Sequence, residues 1–478
     1  LALGLLTGVM LLAGAHPPAA DARPLITGVT DLGSSAPLAY TRTREAGAQL
    51  VRIPLPWEGV VPQSEPSSWD PTDPLDPSYN WETSDADVIR AVQAGLTPVL
   101  QVGGVPQWAQ RCQTPPVLPS YVLCDPAPAA LAAFATAAAR HYSGQVAGVP
   151  RVQYWQALNE PNLSLFFFPQ FNTAGKALSP DLYRDLINAF YGAVKSVDPS
   201  NLVLAAGLGP IERPGWTIGP MSFARQLLCM TGTKQPHPTK GSCGGGVHFD
   251  IFAIQPYTTG SPTHQGKVND VEMGDLPKLQ TLLKAADNAG RIVGAYRRTP
   301  LWITEFSWDT KPPDPGGLPM KIETRWVAEA LYRAWSAGVT RFFWFSLRDA
   351  EHGPSTSYKE PFESGLYFRG PTLEQDQPKA ILSAFKFPFV SYPLKSGLSF
   401  WGRTPDSEPG KVTIQLWKRG NWTKALVANA DNGGIFSGLI PISYGSDKNG
   451  LVRAVYLGQP STPFSMRPVP DFRHPPFG

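Results

Sequence analysis

Short apolar runs rich in β-branched and aromatic residues alternate, along most of the chain, with stretches whose apolar positions recur every three to four residues. The runs fall at 25–32, 50–55, 97–102, 152–158, 202–206, 250–255, 301–304 and 341–346. The clearest helical stretches between them are 36–46, 84–94, 127–141, 180–197, 277–289 and 322–337, with shorter ones near 222–230 and 377–385. Gly47, Gly95, Gly290 and Gly338 stand just past helices, where a left-handed cap is wanted. This alternation predicts a parallel sheet with crossover helices. Eight such units over about 360 residues predict an α/β fold of the (β/α)8 barrel type with long loops, spanning 23–387. The rival is a doubly wound sheet, which would carry a glycine-rich phosphate turn after its first strand. Asp31-Leu32-Gly33-Ser34-Ser35 matches that turn poorly.

Beyond residue 387 the helical pattern stops. Alternating runs at 412–417, 423–427 and 452–457, joined by Gly, Asn and Asp, predict a small β-sandwich over 388–478. It would either bind sugar or pack against the barrel, and packing is the preferred reading. At the other end, 1–13 is an apolar run of secretory length, followed by Ala13-Gly14-Ala15 and Ala20-Asp21-Ala22. Residues 1–22 therefore read as a signal peptide without its basic region, too short for a comfortable membrane span. A retained surface anchor is the alternative. Export, with no stable membrane insertion after processing, is the expectation.

Composition narrows the partners. A net charge of +3 leaves no basic excess for nucleic acid. The four Cys form two local pairs, Cys112 with Cys124 and Cys229 with Cys243, which in an exported chain read as two loop-closing disulfides. The 7 His show no H-x-H at a strand end, so neither a catalytic metal nor a cofactor is expected. No serine-nucleophile elbow and no P-loop stand out.

Two acids break the apolar pattern at informative places. The fourth run ends in Asn159-Glu160-Pro161-Asn162, and the seventh in Thr304-Glu305-Phe306. Barrel enzymes carry their catalytic groups at the C-terminal ends of strands. An acid embedded in so apolar a run is expensive without a partner or a task. Glycosidic bond cleavage needs two carboxyls, one to protonate the leaving oxygen and one to attack or stabilise the anomeric carbon.

These residues resemble the clan of retaining glycoside hydrolases that holds families 5 and 39, and the resemblance covers about residues 25–386. It implies that Glu160 is the acid/base and Glu305 the nucleophile. It also implies that Asn159 binds the sugar hydroxyl beside the anomeric carbon, that Arg52 holds Glu305 ionised, that Tyr257 hydrogen-bonds Glu305, and that Trp344 is an aromatic platform under the sugar. Gln255 stands where relatives often carry His. It reads equally as a satisfied core amide, and it cannot titrate. The retaining mechanism predicts carboxyls about 5–5.5 Å apart, and the neighbouring cation and phenol predict a lowered pKa for Glu305.

The 14 Trp suggest stacking surfaces for a carbohydrate substrate. Trp57, Trp108, Trp308 and Phe166-Phe167-Phe168 follow predicted strands two, three, seven and four and are candidate sugar contacts, with core or loop packing an equal reading for each. Arg348 and Asp349 are expected to pair with each other. Asn162-Leu163-Ser164 and Asn421-Trp422-Thr423 match glycosylation sequons. The alternative function is a surface barrel that binds carbohydrate without cleaving it.

Overall fold

The computed structural model of the chain describes residues 23–115, 117–119, 121–241, 243, 245–352, 362–441 and 450–477. The expected leader at 1–22 lies outside the described residues. All eight predicted runs form strands: β1 Ile26–Thr30, β2 Leu50–Pro56, β3 Thr97–Gly103, β4 Tyr154–Ala157, β5 Leu202–Leu208, β6 Ile251–Ile254, β7 Leu301–Ile303 and β8 Val339–Phe345. They close in chain order into one parallel barrel, β8 pairing back onto β1. Eight helices follow the strands in turn: α1 Pro37–Glu45, α2 Glu82–Gln93, α3 Pro128–His141, α4 Ser179–Val197, α5 Pro220–Leu227, α6 Leu276–Asn288, α7 Met320–Ser336 and α8 Ala380–Lys386.

Alternate residues on each strand face the barrel axis or the helices. Leu50, Val99, Leu202, Leu204, Ile251, Trp302 and Phe343 form a separate apolar cluster that plugs the barrel interior. Gly28 of β1 makes room for that plug, because a Cβ there would lie 2.5 Å from the Phe343 ring. The opposite faces of the strands, with Val51, Ile53, Trp155, Ile254 and Phe342 among them, join the helices in one continuous core. Two positions on from the plug the inward series turns polar, through Arg52 on β2 and Gln156 on β4. The apolar plug is therefore a floor and the polar layer a site.

Past α8 come two antiparallel sheets. One holds β9 Phe389–Leu394, β10 Gly397–Arg403 and, later in the chain, β13 Ile435–Ile440. The other holds β11 Gly410–Lys418, β12 Asn421–Ala430, β14 Leu451–Tyr456 and the short β15 Gln459–Pro460 and β16 Phe464–Ser465. The second unit thus contains the expected sandwich strands and, besides the two-residue β15 and β16, three longer ones that the alternation did not reveal, β9, β10 and β13. Its last stretch, 467–477, forms no strand and returns to the barrel loops.

Arg403 fastens this unit to the barrel. It is fully buried and donates to the Leu25 carbonyl at 3.0 Å, the Thr27 hydroxyl at 3.0 Å and the Phe385 carbonyl at 3.1 Å. Arg403→Ala strands these acceptors in a dry interface, and we expect a loss of about 3–5 kcal/mol of stability in denaturant unfolding. A midpoint within error of the wild type would show that the fastening carries no weight.

Both cysteine pairs are bonded, with Cα–Cα distances of 5.3 Å for Cys112–Cys124 and 5.9 Å for Cys229–Cys243. No helix among the described residues is long and apolar enough to cross a membrane.

Candidate active site

The end of β4 bends sharply. Leu158 and Glu160 both occupy left-handed backbone, at φ 61° and 42°. Strain of this kind is costly for residues with a Cβ and collects at functional sites. The turn is clamped by Asn162, whose side chain accepts from the Gly209 amide at 2.9 Å and donates to the carbonyls of Gly209 and Ile218 at 3.1 and 3.0 Å. Gly209 leaves space for the acid, because a Cβ there would meet Glu160 Oε1 at 2.8 Å. Asn162 is fully buried with both amide atoms engaged, which removes its sequon as a glycan site and makes it a positioning residue for Glu160.

Arg52 is the hub. Its Nη1 donates to Glu305 Oε1 at 2.7 Å and to the Thr30 hydroxyl at 3.3 Å, its Nη2 to Asn159 Oδ1 at 2.7 Å, and its Nε to Gln156 Oε1 at 2.8 Å. The planar guanidinium thus fixes four groups from three other strands at once. Tyr257 donates its hydroxyl to Glu305 Oε2 at 3.1 Å, so each oxygen of Glu305 has one donor. Gln255 Nε2 donates to Asn159 Oδ1 at 2.8 Å. Two donors converging on Oδ1 set the amide's orientation, which leaves the Asn159 NH2 free for a ligand. Glu160 makes no side-chain hydrogen bond with the described groups and is 7% exposed.

The two acids therefore differ electrostatically. Burial pushes Glu160 well above the ordinary carboxylate range, the charge of Glu305 pushes the same way, and Arg52 opposes both. Burial also raises Glu305, but Arg52 and the Tyr257 hydroxyl pull it back. The expected net lowering of Glu305 does not occur, because desolvation outweighs the cation and the phenol. What survives is the asymmetry: Glu160 is pushed up by burial and by Glu305 against Arg52 alone, while Glu305 has both Arg52 and the Tyr257 hydroxyl pulling it down. Burial and the two acids raise Tyr257 well above its usual value, which keeps its phenol a donor.

Two hollows meet at Arg52 and Glu305. The larger, of about 670 Å³, lies toward the loops after β1 and β2 and includes Asp31, Asn80, Asp87 and Phe345. The smaller, of about 240 Å³, lies toward the loops after β3 and β4 and includes Gln101, Tyr121, Asn159 and Phe166. Glu160 stands one residue behind Asn159, outside the walls of both.

Several expected sugar contacts are corrected. Trp344 is fully buried, packs on Phe306 and Phe385, and donates its indole NH to the Ser364 carbonyl at 2.8 Å. It belongs to the outward set of β8, and its inward neighbour Phe345 reaches the larger hollow. Trp57 is buried and stacks on Phe134 at 5.0 Å. Trp308 is buried against Phe306 and Trp326, with its NH on the Thr258 carbonyl. Trp108 is half-buried edge-on to Trp57 and Trp69, and its NH donates to the Pro62 carbonyl, so it braces a loop away from both hollows. Of the phenylalanine triplet, Phe166 reaches the smaller hollow and Phe167 is buried. Arg348 and Asp349 do not pair with each other: Arg348 binds Asp376, and Asp349 binds Lys379. Gln156 and Phe345 were missed, and the two-residue period of β4 and β8 was the signal that points to them.

No protein-family model matches the chain, and no curated protein sequence does. Solved structures share its fold. One is a family 39 glycoside hydrolase from the gut symbiont Bacteroides cellulosilyticus, at 16% identity, 88% of this chain, 79% of that one and a TM-score of 0.51. A GH39 enzyme from Xanthomonas axonopodis pv. citri aligns at 13% identity over 90% of this chain and 94% of its own, with a TM-score of 0.50. A GH39 β-xylosidase from Caulobacter crescentus aligns at 17% identity, 85% and 84% coverage and a TM-score of 0.50. At these identities the likeness is one of fold.

Proposed function

We propose that this chain is an exported retaining glycoside hydrolase that needs no cofactor and acts on a polysaccharide, oligosaccharide or glycoconjugate by double displacement. The observation that carries the reading is the unequal treatment of two buried carboxyls at strand ends. Glu305 has Arg52 and Tyr257 on its oxygens, while Glu160 has no side-chain hydrogen-bond partner among the described residues and is pushed up by burial and by Glu305. In the first step a Glu305 oxygen bonds to the anomeric carbon as the glycosidic bond breaks, and Glu160 gives its proton to the departing oxygen. The ester on Glu305 is neutral. With the charge on Glu305 gone, Glu160 takes a proton from a water as the water oxygen bonds to the anomeric carbon and the bond from that carbon to Glu305 breaks, which returns Glu305 as the carboxylate and Glu160 as the acid. The free NH2 of Asn159 is placed to hold the hydroxyl next to the reacting carbon. The activities named for the fold's neighbours, β-xylosidase among them, and the two disulfides favour the reading.

Incubation with a panel of 2-deoxy-2-fluoro glycosyl fluorides should trap a glycosyl ester, and peptide mass mapping should place it on Glu305. Proton NMR of the first-formed product should show the anomeric configuration of the substrate. An inverted first product, or an adduct on any other residue, would rule out the assignment.

A further inference from the structure

We infer that Phe477 forms an aromatic wall of the substrate site, supplied by the stretch that returns from the second unit to the mouth of the barrel. The inference rests on the hydrolase reading and adds to it the residue that contacts the sugar on the side of β6 and β7.

The stretch 467–477 is pinned at three points to loops that follow those two strands. The Asp471 carboxylate accepts from the Ser261 amide at 2.9 Å, with His264 Nδ1 also 2.9 Å away. The His474 amide donates to the Thr259 carbonyl at 3.0 Å, and the Asp309 amide donates to the Pro476 carbonyl at 2.7 Å. Phe472 packs its ring 5.1 Å from that of Trp326. The backbone is thus held up to the residue before Phe477.

So held, the Phe477 ring lies 4.8 Å from the ring of Tyr257, the donor to Glu305. It also lies 4.5 Å from Phe362, which is 5.4 Å from Phe345 in the wall of the larger hollow. Tyr257, Phe477, Phe362 and Phe345 make a continuous aromatic arc beside Glu305. Phe477 is only half-buried, so part of its ring stays exposed. A stretch whose one task was to tie the second unit down would find enough apolar surface at Trp326. This one continues to the group that touches the nucleophile. Flat rings present a face to the apolar C–H side of a pyranose, and Trp344, Trp308 and Trp57 are sealed in the core. The ligand class is a pyranoside with such an apolar face.

The test compares Phe477→Ala, Phe477→Trp and Asp471→Ala with the full-length wild type on aryl glycosides, alongside Glu305→Ala. Phe477→Ala should raise KM about five- to tenfold with kcat within about twofold and the melting temperature unchanged. Phe477→Trp should restore KM. Asp471→Ala, which loosens the stretch without altering the arc, should raise KM in the same direction. Active wild type, inactive Glu305→Ala and an unchanged KM in Phe477→Ala would overturn this assignment alone. A wild type that releases no aglycone from any glycoside would overturn the hydrolase reading and this assignment with it.

Discussion

Glu305→Ala is expected to lower kcat/KM about 10⁴-fold or more on every glycoside the wild type cleaves, and Glu160→Ala about 10²–10⁴-fold. The two losses should differ in kind. Without Glu160 the leaving oxygen departs unprotonated, so a dinitrophenyl glycoside should lose far less than an alkyl one. Azide should restore turnover and give a glycosyl azide of the substrate's configuration. Without Glu305, azide can enter only in its place, from the opposite face, so its product should carry the inverted configuration. The pair also predicts a titration result. Burial and the charge of Glu305 together hold Glu160 up. Glu305→Gln removes the second cause and keeps the first, so Glu160 should titrate lower than in the wild type yet above an exposed glutamate. Carboxyl-selective NMR or infrared difference titration reads this directly. A Glu160 that does not move would mean that the acids do not sense each other, and the switch from acid to base would have no physical basis.

The parts of the molecule that were legible share one property: their signal is local and repeated. Each barrel strand is an apolar run, and each helix a run with period near four, so both survive reading one segment at a time. Glu160 and Glu305 were legible because an acid at the end of such a run contradicts it. Trp344 is misplaced, and the other tryptophans stay undecided between core and site, because exposure is not a local property. On β8, adjacent Trp344 and Phe345 look alike as letters, yet the two-residue period set by the plug residue Phe343 sends Phe345 to the mouth and Trp344 to the helices. Counting that parity would have corrected the choice and also found Gln156. The strand β10 was hidden because it is buried along nearly its whole length, and β9 and β13 because their buried residues come in blocks, so the expected alternation of apolar and polar residues is weak. Phe477 had no signal at all. Its place beside Tyr257 depends on a path across the barrel loops that no period encodes.

The burial of Arg52 gives the second large effect. The residue is 6% exposed, and three of its nitrogens hold Glu305, Asn159 and Gln156. A lysine at this position offers one compact charge and cannot reproduce the fork, so Arg52→Lys keeps the cation but releases Asn159 or Gln156. Arg52→Met removes the charge altogether. We expect kcat/KM at neutral pH to fall about 10²–10³-fold in Arg52→Met and less in Arg52→Lys. The pH profile separates this from a loss of fold. Glu305 must be ionised to attack, burial raises its pKa, and Arg52 is the largest opposing influence. Removing the cation leaves burial opposed chiefly by Tyr257. The acidic limb of the kcat/KM profile should therefore move to higher pH. Arg52 also lowers Glu160, so the basic limb should rise as well, and the whole bell should travel upward. Uniform loss of activity at every pH, with both limbs in their wild-type positions, would mean that Arg52 only shapes the site and does not set the charge on Glu305.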